Sequence, residues 1–217
     1  MIQKVAKEMN KRIPIMIDLP GPRITKKEGH GRDMEAISAI TKKDEEFIKF
    51  GVKHNIEYIA VSYVGSAKDI DKCRQVIKDA GGNQKIIAKI ERQEAIDNLK
   101  RIISKADAVM VARGDLGDEI PMEKVPFAQY KIIKECKKAG KPVIVATEML
   151  TSMISNPRPT RAEVTDIANA VLTGADAVML SNETTVGKYP IQAIMFMEKI
   201  AVEAEKNLRG KIIFNNL

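Results

Sequence analysis

Lys89 and Glu91 lie two residues apart, in and just after the apolar run IIAKI at 86–90. On a β-strand, where side chains alternate, they point to one face. An ammonium on an inward strand position is costly unless it is paired or used, so this pair is a first candidate for chemistry. The next apolar run, AVMVA at 108–112, is followed by Arg113-Gly114-Asp115, which sets a second carboxylate at the end of the adjacent strand. Two carboxylates, with few histidines nearby, suit a hard cation such as Mg²⁺ or Mn²⁺, which leaves its other positions to substrate oxygens and water. Gly114 lets the backbone approach a ligand closely. Arg-Gly-Asp is a weak pattern alone, and Asp115 equally suits a turn or cap. Two more runs end in groups able to move or hold a proton: VIVAT at 143–147 delivers the Thr147 hydroxyl and then Glu148, and AVML at 177–180 is followed by Ser181 and Glu183. Ser181 equally suits a helix N-cap.

These residues need strands to carry them. Six short aliphatic runs recur: 13–18 (IPIMID), 58–62 (YIAVS), 86–90, 108–112, 143–147 and 177–180. Their length and content predict strands buried on both faces. Helix-period segments separate them, among them KKDEEFIKFGVKHN, RQEAIDNLKRIISKA and RAEVTDIANAVLTGA. Strict alternation of strand and helix predicts a parallel α/β sheet with crossover helices. A closed (β/α)8 TIM-type barrel takes eight strands and about 250 residues. Six clear strands and a weaker seventh at 211–214 (KIIF) therefore predict a partial barrel, a single domain over 1–217. Its open sheet exposes two unpaired edges, which favour association. The stretch 21–36 (GPRITKKEGHGRDMEA) has no apolar period, and 25–36 reads as a short loop. Thr160-Arg161-Ala162-Glu163 fits a capping box, and Gly140 and Gly174 stand where helices should end.

Composition narrows the function classes. Lys and Arg outnumber Asp and Glu by 36 to 29, a net charge of +7, but the lysines are spread in pairs such as Lys42-Lys43 and Lys137-Lys138 with no interleaved aromatics. That is a solvated basic exterior rather than a nucleic-acid face, and it favours an acidic substrate by steering. No apolar run reaches the ~20 residues that span a bilayer, and the polar first dozen residues do not read as a signal peptide. The expectation is a soluble, cytoplasmic protein with no membrane partner. Cys73 and Cys136 lie far apart in helical segments without CxxC spacing, so free thiols are expected. With His30 and His54 the only histidines, zinc and haem have almost no ligands to use.

The runs AKIERQEAIDNL, VMVARGDLGDEIP, VIVATEMLTSMISNPRPTRAEVTDIANAV and GADAVMLSNETTVGKYPIQA closely resemble the barrel domain of the pyruvate kinase family, in order and spacing, and IDLPGPR at 17–23 resembles its third strand. The resemblance runs from about residue 11 to 208. It implies a (β/α)8 barrel that transfers the phosphoryl group of phosphoenolpyruvate to ADP, giving pyruvate and ATP, with a divalent cation and usually K⁺. By the same resemblance Lys89 is the catalytic lysine that neutralises the migrating phosphoryl and the enolate oxygen, and Glu91 and Asp115 hold Mg²⁺ or Mn²⁺. Thr147 stands near the face where the enolate C3 is protonated, and Ser181 and Glu183 organise that side. The backbone of Ala112, Arg113 and Gly114 meets the substrate carboxylate, and Asp18 helps to hold the monovalent cation.

The departures are informative. By the resemblance, counterparts of the first two family strands and of the family's carboxy-terminal domain are expected to be missing, and about a dozen residues stand where the family inserts a lid domain. Leu19-Pro20 replaces a Thr-Lys pair and Thr25 an Arg. The expectation is that ADP and ATP binding is weak or lost while the enolate half of the reaction survives. Two alternatives remain, a metal-dependent lyase or decarboxylase acting on a 2-oxo acid and a non-catalytic barrel fragment. Family resemblance and open sheet edges both predict a homo-oligomer.

Overall fold

The computed structural model of the protein describes residues 2–26, 29–33, 36 and 38–209. Helix α1 (Ile2–Glu8) leads to β1 (Met16–Asp18), an antiparallel hairpin of β2 (Arg23–Lys26) and β3 (Gly29–Arg32), and then α2 (Lys42–Lys53). From there strand and helix alternate: β4 (Tyr58–Val61), α3 (Ala67–Asp79), β5 (Lys85–Ile90), α4 (Gln93–Asp97), α5 (Leu99–Lys105), β6 (Ala108–Ala112), α6 (Arg113–Glu119), α7 (Val125–Lys138), β7 (Val143–Ala146), α8 (Arg161–Leu172), β8 (Ala177–Met179), α9 (Asn182–Thr185) and α10 (Pro190–Arg209). The six strands β1-β4-β5-β6-β7-β8 form one all-parallel sheet in that order. It is a curled half-barrel, the partial TIM-type barrel that the strand count predicts. The weak strand expected at 211–214 lies outside the described residues.

Alternating side chains divide the sheet into two apolar faces. Ile59, Val61, Ile86, Ala88, Ile90, Val109, Val111, Val143 and Val145 face the helices in one continuous core. Each fully buried Ile or Val there is worth about 1.5–3 kcal/mol. Ala60, Ile87, Ala108, Met110, Ala112 and Ala146 form a smaller cluster on the concave face, with Met16, Tyr58, Ile144 and Met179 at its margin. The expectation of strands buried on both faces holds for β5 and β6 but not at the edges: β1 and β8 are only partly buried, since among the described residues each has a neighbouring strand on one side alone.

Residues 25–36, expected as a loop, contain most of the β2/β3 hairpin, in the register Arg23↔Arg32 to Lys26↔Gly29. It begins at Gly21, whose φ of +63° turns the chain out of the sheet, and a Cβ there would stand 3.1 Å from the Tyr63 ring. The helical segment 92–106 is broken at Asn98, whose side-chain amide donates to Gly65 O (2.9 Å).

At the amino-terminal end of the sheet one device recurs. The residue before β4, β6 and β8 is an acid, and each accepts the backbone N–H of a residue on or leading into the neighbouring strand: Glu57 from Ile15 (2.8 Å), Asp107 from Ile86 (2.8 Å) and Asp176 from Val143 (2.9 Å). These bonds pin the parallel register, where a slip of one residue would turn every side chain to the wrong face. The Thr160–Glu163 capping box forms as expected, and Gly140 and Gly174 both have positive φ. Cys73 and Cys136 are buried free thiols in α3 and α7, each pushed up to about 12 by burial, which leaves them unreactive. Among the described residues no helix is long and apolar enough to cross a membrane.

Candidate active site

The concave-face columns extend past the apolar cluster into polar residues. Met16 leads by steps of two to Asp18, Ala60 to Ser62, and Ile87 to Lys89 and Glu91. These groups converge at the carboxyl ends of the strands, where parallel barrels keep their reacting groups. Lys89, only 5 % exposed, lies at the centre. Its Nζ donates to Ser62 Oγ (2.7 Å) and Asp18 Oδ1 (2.9 Å), and it stands 2.9 Å from Glu91 Oε1. Burial pulls the lysine down, but the charges of Glu91 and Asp18 outweigh it, so the group lies above its ordinary value and is fully charged at neutral pH.

Glu91 is completely buried. Burial pushes its carboxyl upward, Lys89 pulls it back and the charge of Asp115 adds to the rise. Its Oε2 accepts the Tyr63 N–H (2.5 Å), while its Oε1 accepts no hydrogen bond of good geometry despite the nearby ammonium. Tyr63 also donates its phenol O–H to Asp115 Oδ1 (2.8 Å), so one residue touches both carboxylates. The backbone of Tyr63 is left-handed, φ +53°, which points its N–H and its ring toward the two acids together. Arg23, at the base of the hairpin, stands 3.6 Å from Asp115 and covers the Tyr63 ring.

Thr147, expected at the end of β7, lies just beyond it in a left-handed turn with Glu148, φ +67° and +53°. Such conformations cost about 1–3 kcal/mol each and persist where the surroundings over-determine them. The Thr147 hydroxyl accepts Gly114 N–H (2.7 Å) and donates to Ala146 O (2.6 Å). The Gly114 amide, which the resemblance assigns to the substrate carboxylate, is thus spent on Thr147. The Arg113 side chain donates to Thr147 O and Glu148 O and pairs with Asp166 of α8.

Ser181, just past β8, is the N-cap residue of α9, and Glu183 is buried within that short helix. Both Glu183 oxygens are occupied by backbone amides, Oε1 by Leu150 N–H (2.9 Å) and Oε2 by Ser181 N–H (2.8 Å). Glu183 is therefore a fastener between α9 and the segment that follows Thr147.

The structure brings Asp18, Lys89, Glu91 and Asp115 into one linked group, and Ala112, Arg113, Gly114 and Thr147 into a second on the adjoining strands. Asp18, expected at a monovalent cation, pairs with Lys89 and keeps about half of its side chain exposed. Sequence reasoning missed Ser62, Tyr63 and Asp166. Ser62 is recoverable from the period of two along β4, whereas the links made by Tyr63 and Asp166 span 52 and 53 residues and no local pattern carries them. Among the described residues no group of three or more His, Cys, Asp and Glu side chains is arranged to hold a metal. A Mg²⁺ or Mn²⁺ ion needs fewer protein ligands than that. Glu91, whose Oε1 faces the Lys89 ammonium without a hydrogen bond of good geometry, is linked through Tyr63 to Asp115 and fits a hard cation that completes its sphere with substrate and water.

Comparison with known proteins agrees with this geometry. The family model described as "Pyruvate kinase, barrel domain" matches residues 31–194. The chain is 52 % identical over 173 residues to a pyruvate kinase of Thermotoga maritima, covering 80 % of this chain and 37 % of that protein. It is 48 % identical over 189 residues to a pyruvate kinase of Staphylococcus aureus, covering 87 % and 30 %. A pyruvate kinase of Dictyostelium discoideum is 52 % identical over 169 residues, covering 78 % and 33 %. The chain belongs to the pyruvate kinase family, within its barrel domain. It spans about a third of the length of the curated relatives it matches.

Proposed function

We propose that this barrel handles phosphoenolpyruvate and pyruvate in a pyruvate-kinase-type phosphoryl transfer with ADP and ATP. The observation that carries the reading is the buried Lys89 ammonium, held by Asp18, Ser62 and Glu91 at the carboxyl rim of the sheet, in a group linked through Tyr63 to Asp115. A fixed positive charge in a poorly solvated site stabilises charge that develops on an oxygen far better than one in water. Lys89 is thus suited to neutralise the migrating phosphoryl group and the enolate oxygen it leaves.

Glu91 and Asp115 are the residues that would hold Mg²⁺ or Mn²⁺. When bound, the cation supplies Lewis-acid polarisation of the substrate oxygens. Thr147 carries its hydroxyl on a rigid turn, where it orients the proton route to C3, and Glu183 fastens the segment behind it. Asp18, whose half-exposed carboxylate also pairs with Lys89, is the matched position that would help to hold K⁺. A cytoplasmic location and a homo-oligomeric assembly belong to the same family-based reading, and the basic exterior favours anionic substrates.

The reading is tested by titrating phosphoenolpyruvate into the protein with Mn²⁺ and following water-proton relaxation. A relaxation change specific to the ternary complex, lost in both Lys89→Ala and Glu91→Gln, is the expected result. A response that both variants retain contradicts the assignment.

A further inference from the structure

We propose that Arg113 is a positioning residue: anchored by Asp166 on α8, its guanidinium holds the left-handed turn that sets the Thr147 hydroxyl. The inference rests on the proposed function only in giving Thr147 a part in the reaction. The geometry stands apart from it.

Arg113 is 8 % exposed, and every contact of its guanidinium goes to the turn or to its anchor. Nη2 donates to Thr147 O (2.7 Å) and Glu148 O (3.0 Å) and lies 2.9 Å from Met149 Sδ, while Nε donates to Thr147 O (3.2 Å). Nη1 pairs with Asp166 Oδ2. A planar fork of donors can span two successive carbonyls and a carboxylate at once, which the single ammonium of a lysine cannot. The carbonyls it spans belong to the two residues with positive φ, and a β-branched threonine adopts that conformation only under constraint.

The next residue completes the clamp. Gly114 N–H donates to Thr147 Oγ1, and the hydroxyl in turn donates to Ala146 O. Arg113 therefore fixes the backbone of Thr147 from one side while Gly114 fixes its side chain from the other, and the hydroxyl has a single orientation. Asp166 lies in the second turn of α8, so the seating of that helix is transmitted through one guanidinium to Thr147. Without Asp166, Nη1 is left without its ionic partner, the fork is held by the Thr147 and Glu148 carbonyls alone, and the turn is less tightly constrained.

The test compares the parent protein with Asp166→Asn and Asp166→Ala, the first keeping the shape and removing the charge. Amide hydrogen exchange at Gly114 reads the Thr147 hydroxyl directly, and exchange at Val109, on β6 and bonded to Pro142 O, reports the integrity of the sheet. The expected result is exchange at Gly114 about tenfold faster in both variants with Val109 unchanged. With pyruvate as the probe, kcat for proton exchange at C3 should fall about tenfold with KM unchanged, because misplacement of a reacting group affects the transition state and not ground-state binding. Unchanged Gly114 exchange in Asp166→Ala overturns the anchor. A drop in KM and kcat that leaves Gly114 protected overturns it equally. If the parent itself shows no exchange at C3, the proposed function fails, and Gly114 protection still decides whether Asp166 and Arg113 hold the turn.

Discussion

Lys89 Nζ stands 2.9 Å from Glu91 Oε1, two opposite charges two residues apart on the same face, one on β5 and one just past its end, with both side chains almost wholly removed from water. Neither charge is tolerable there alone. Lys89→Ala leaves Glu91 buried without a counter-ion, which costs about 3–5 kcal/mol when one partner of such a pair is removed. The double variant Lys89→Met with Glu91→Gln removes both charges and should be markedly more stable than Lys89→Ala in urea unfolding. Equal loss in the two would mean that the pair is not coupled.

Tyr63 is the residue that ties the two proposed cation ligands together, by its N–H to Glu91 and its O–H to Asp115. Tyr63→Phe keeps the ring and the backbone and deletes one donor. Outer hydrogen bonds that orient a ligand contribute about 10–100-fold to metal affinity, so Mn²⁺ binding followed by electron paramagnetic resonance should weaken by at least about tenfold with the fold intact. Unaltered binding would remove Tyr63 from the site.

Asp107 gives the pH dependence. Burial raises its carboxyl, but the Ile86 N–H and the Arg74 guanidinium outweigh that, and the group lies below its ordinary range. A carboxylate depressed in the folded state stabilises it above the unfolded pKa, about 3.9 for Asp, and that contribution is lost as the pH falls through the folded value. Asp107→Ala should cost about 1–2 kcal/mol near neutrality, and the gap to the parent should narrow in denaturant titrations below pH 4. A gap constant across that window would show that the charge plays no part.

Much of this fold is legible in the residues themselves. Runs such as IIAKI and AVMVA are too short and too aliphatic to be surface helices, and their alternation already puts Lys89 and Glu91 on one side. What escapes local reading is of two kinds. One is long-range partnership: Asp18 lies 71 residues from Lys89 and Asp166 lies 53 from Arg113, so neither pairing leaves a period in the chain. The other is backbone hand. Thr147 reads as the natural end of a β-branched strand and Tyr63 as one more apolar residue, yet both have positive φ, and that turns each toward the site. The hairpin at 23–32 was hidden for a plainer reason, since its sequence shows no alternation of apolar residues.

Glu183 makes a smaller claim of the same type. Its oxygens hold the Leu150 and Ser181 amides, so Glu183→Ala leaves two amides without their acceptor. Local opening should appear as faster amide exchange at Leu150 and Ser181, with β5 and β6 unaffected. If Leu150 stays protected, the segment after Thr147 is held by something else.

The central claim is that the Lys89 group works on an enolate, and proton NMR of pyruvate in deuterium oxide tests it most directly. The protein is incubated with pyruvate, phosphate, K⁺ and Mg²⁺ or Mn²⁺, alongside Lys89→Ala. Deuterium entering C3 only with the divalent cation and the parent protein is the predicted result. Exchange no faster than the Lys89→Ala background contradicts it.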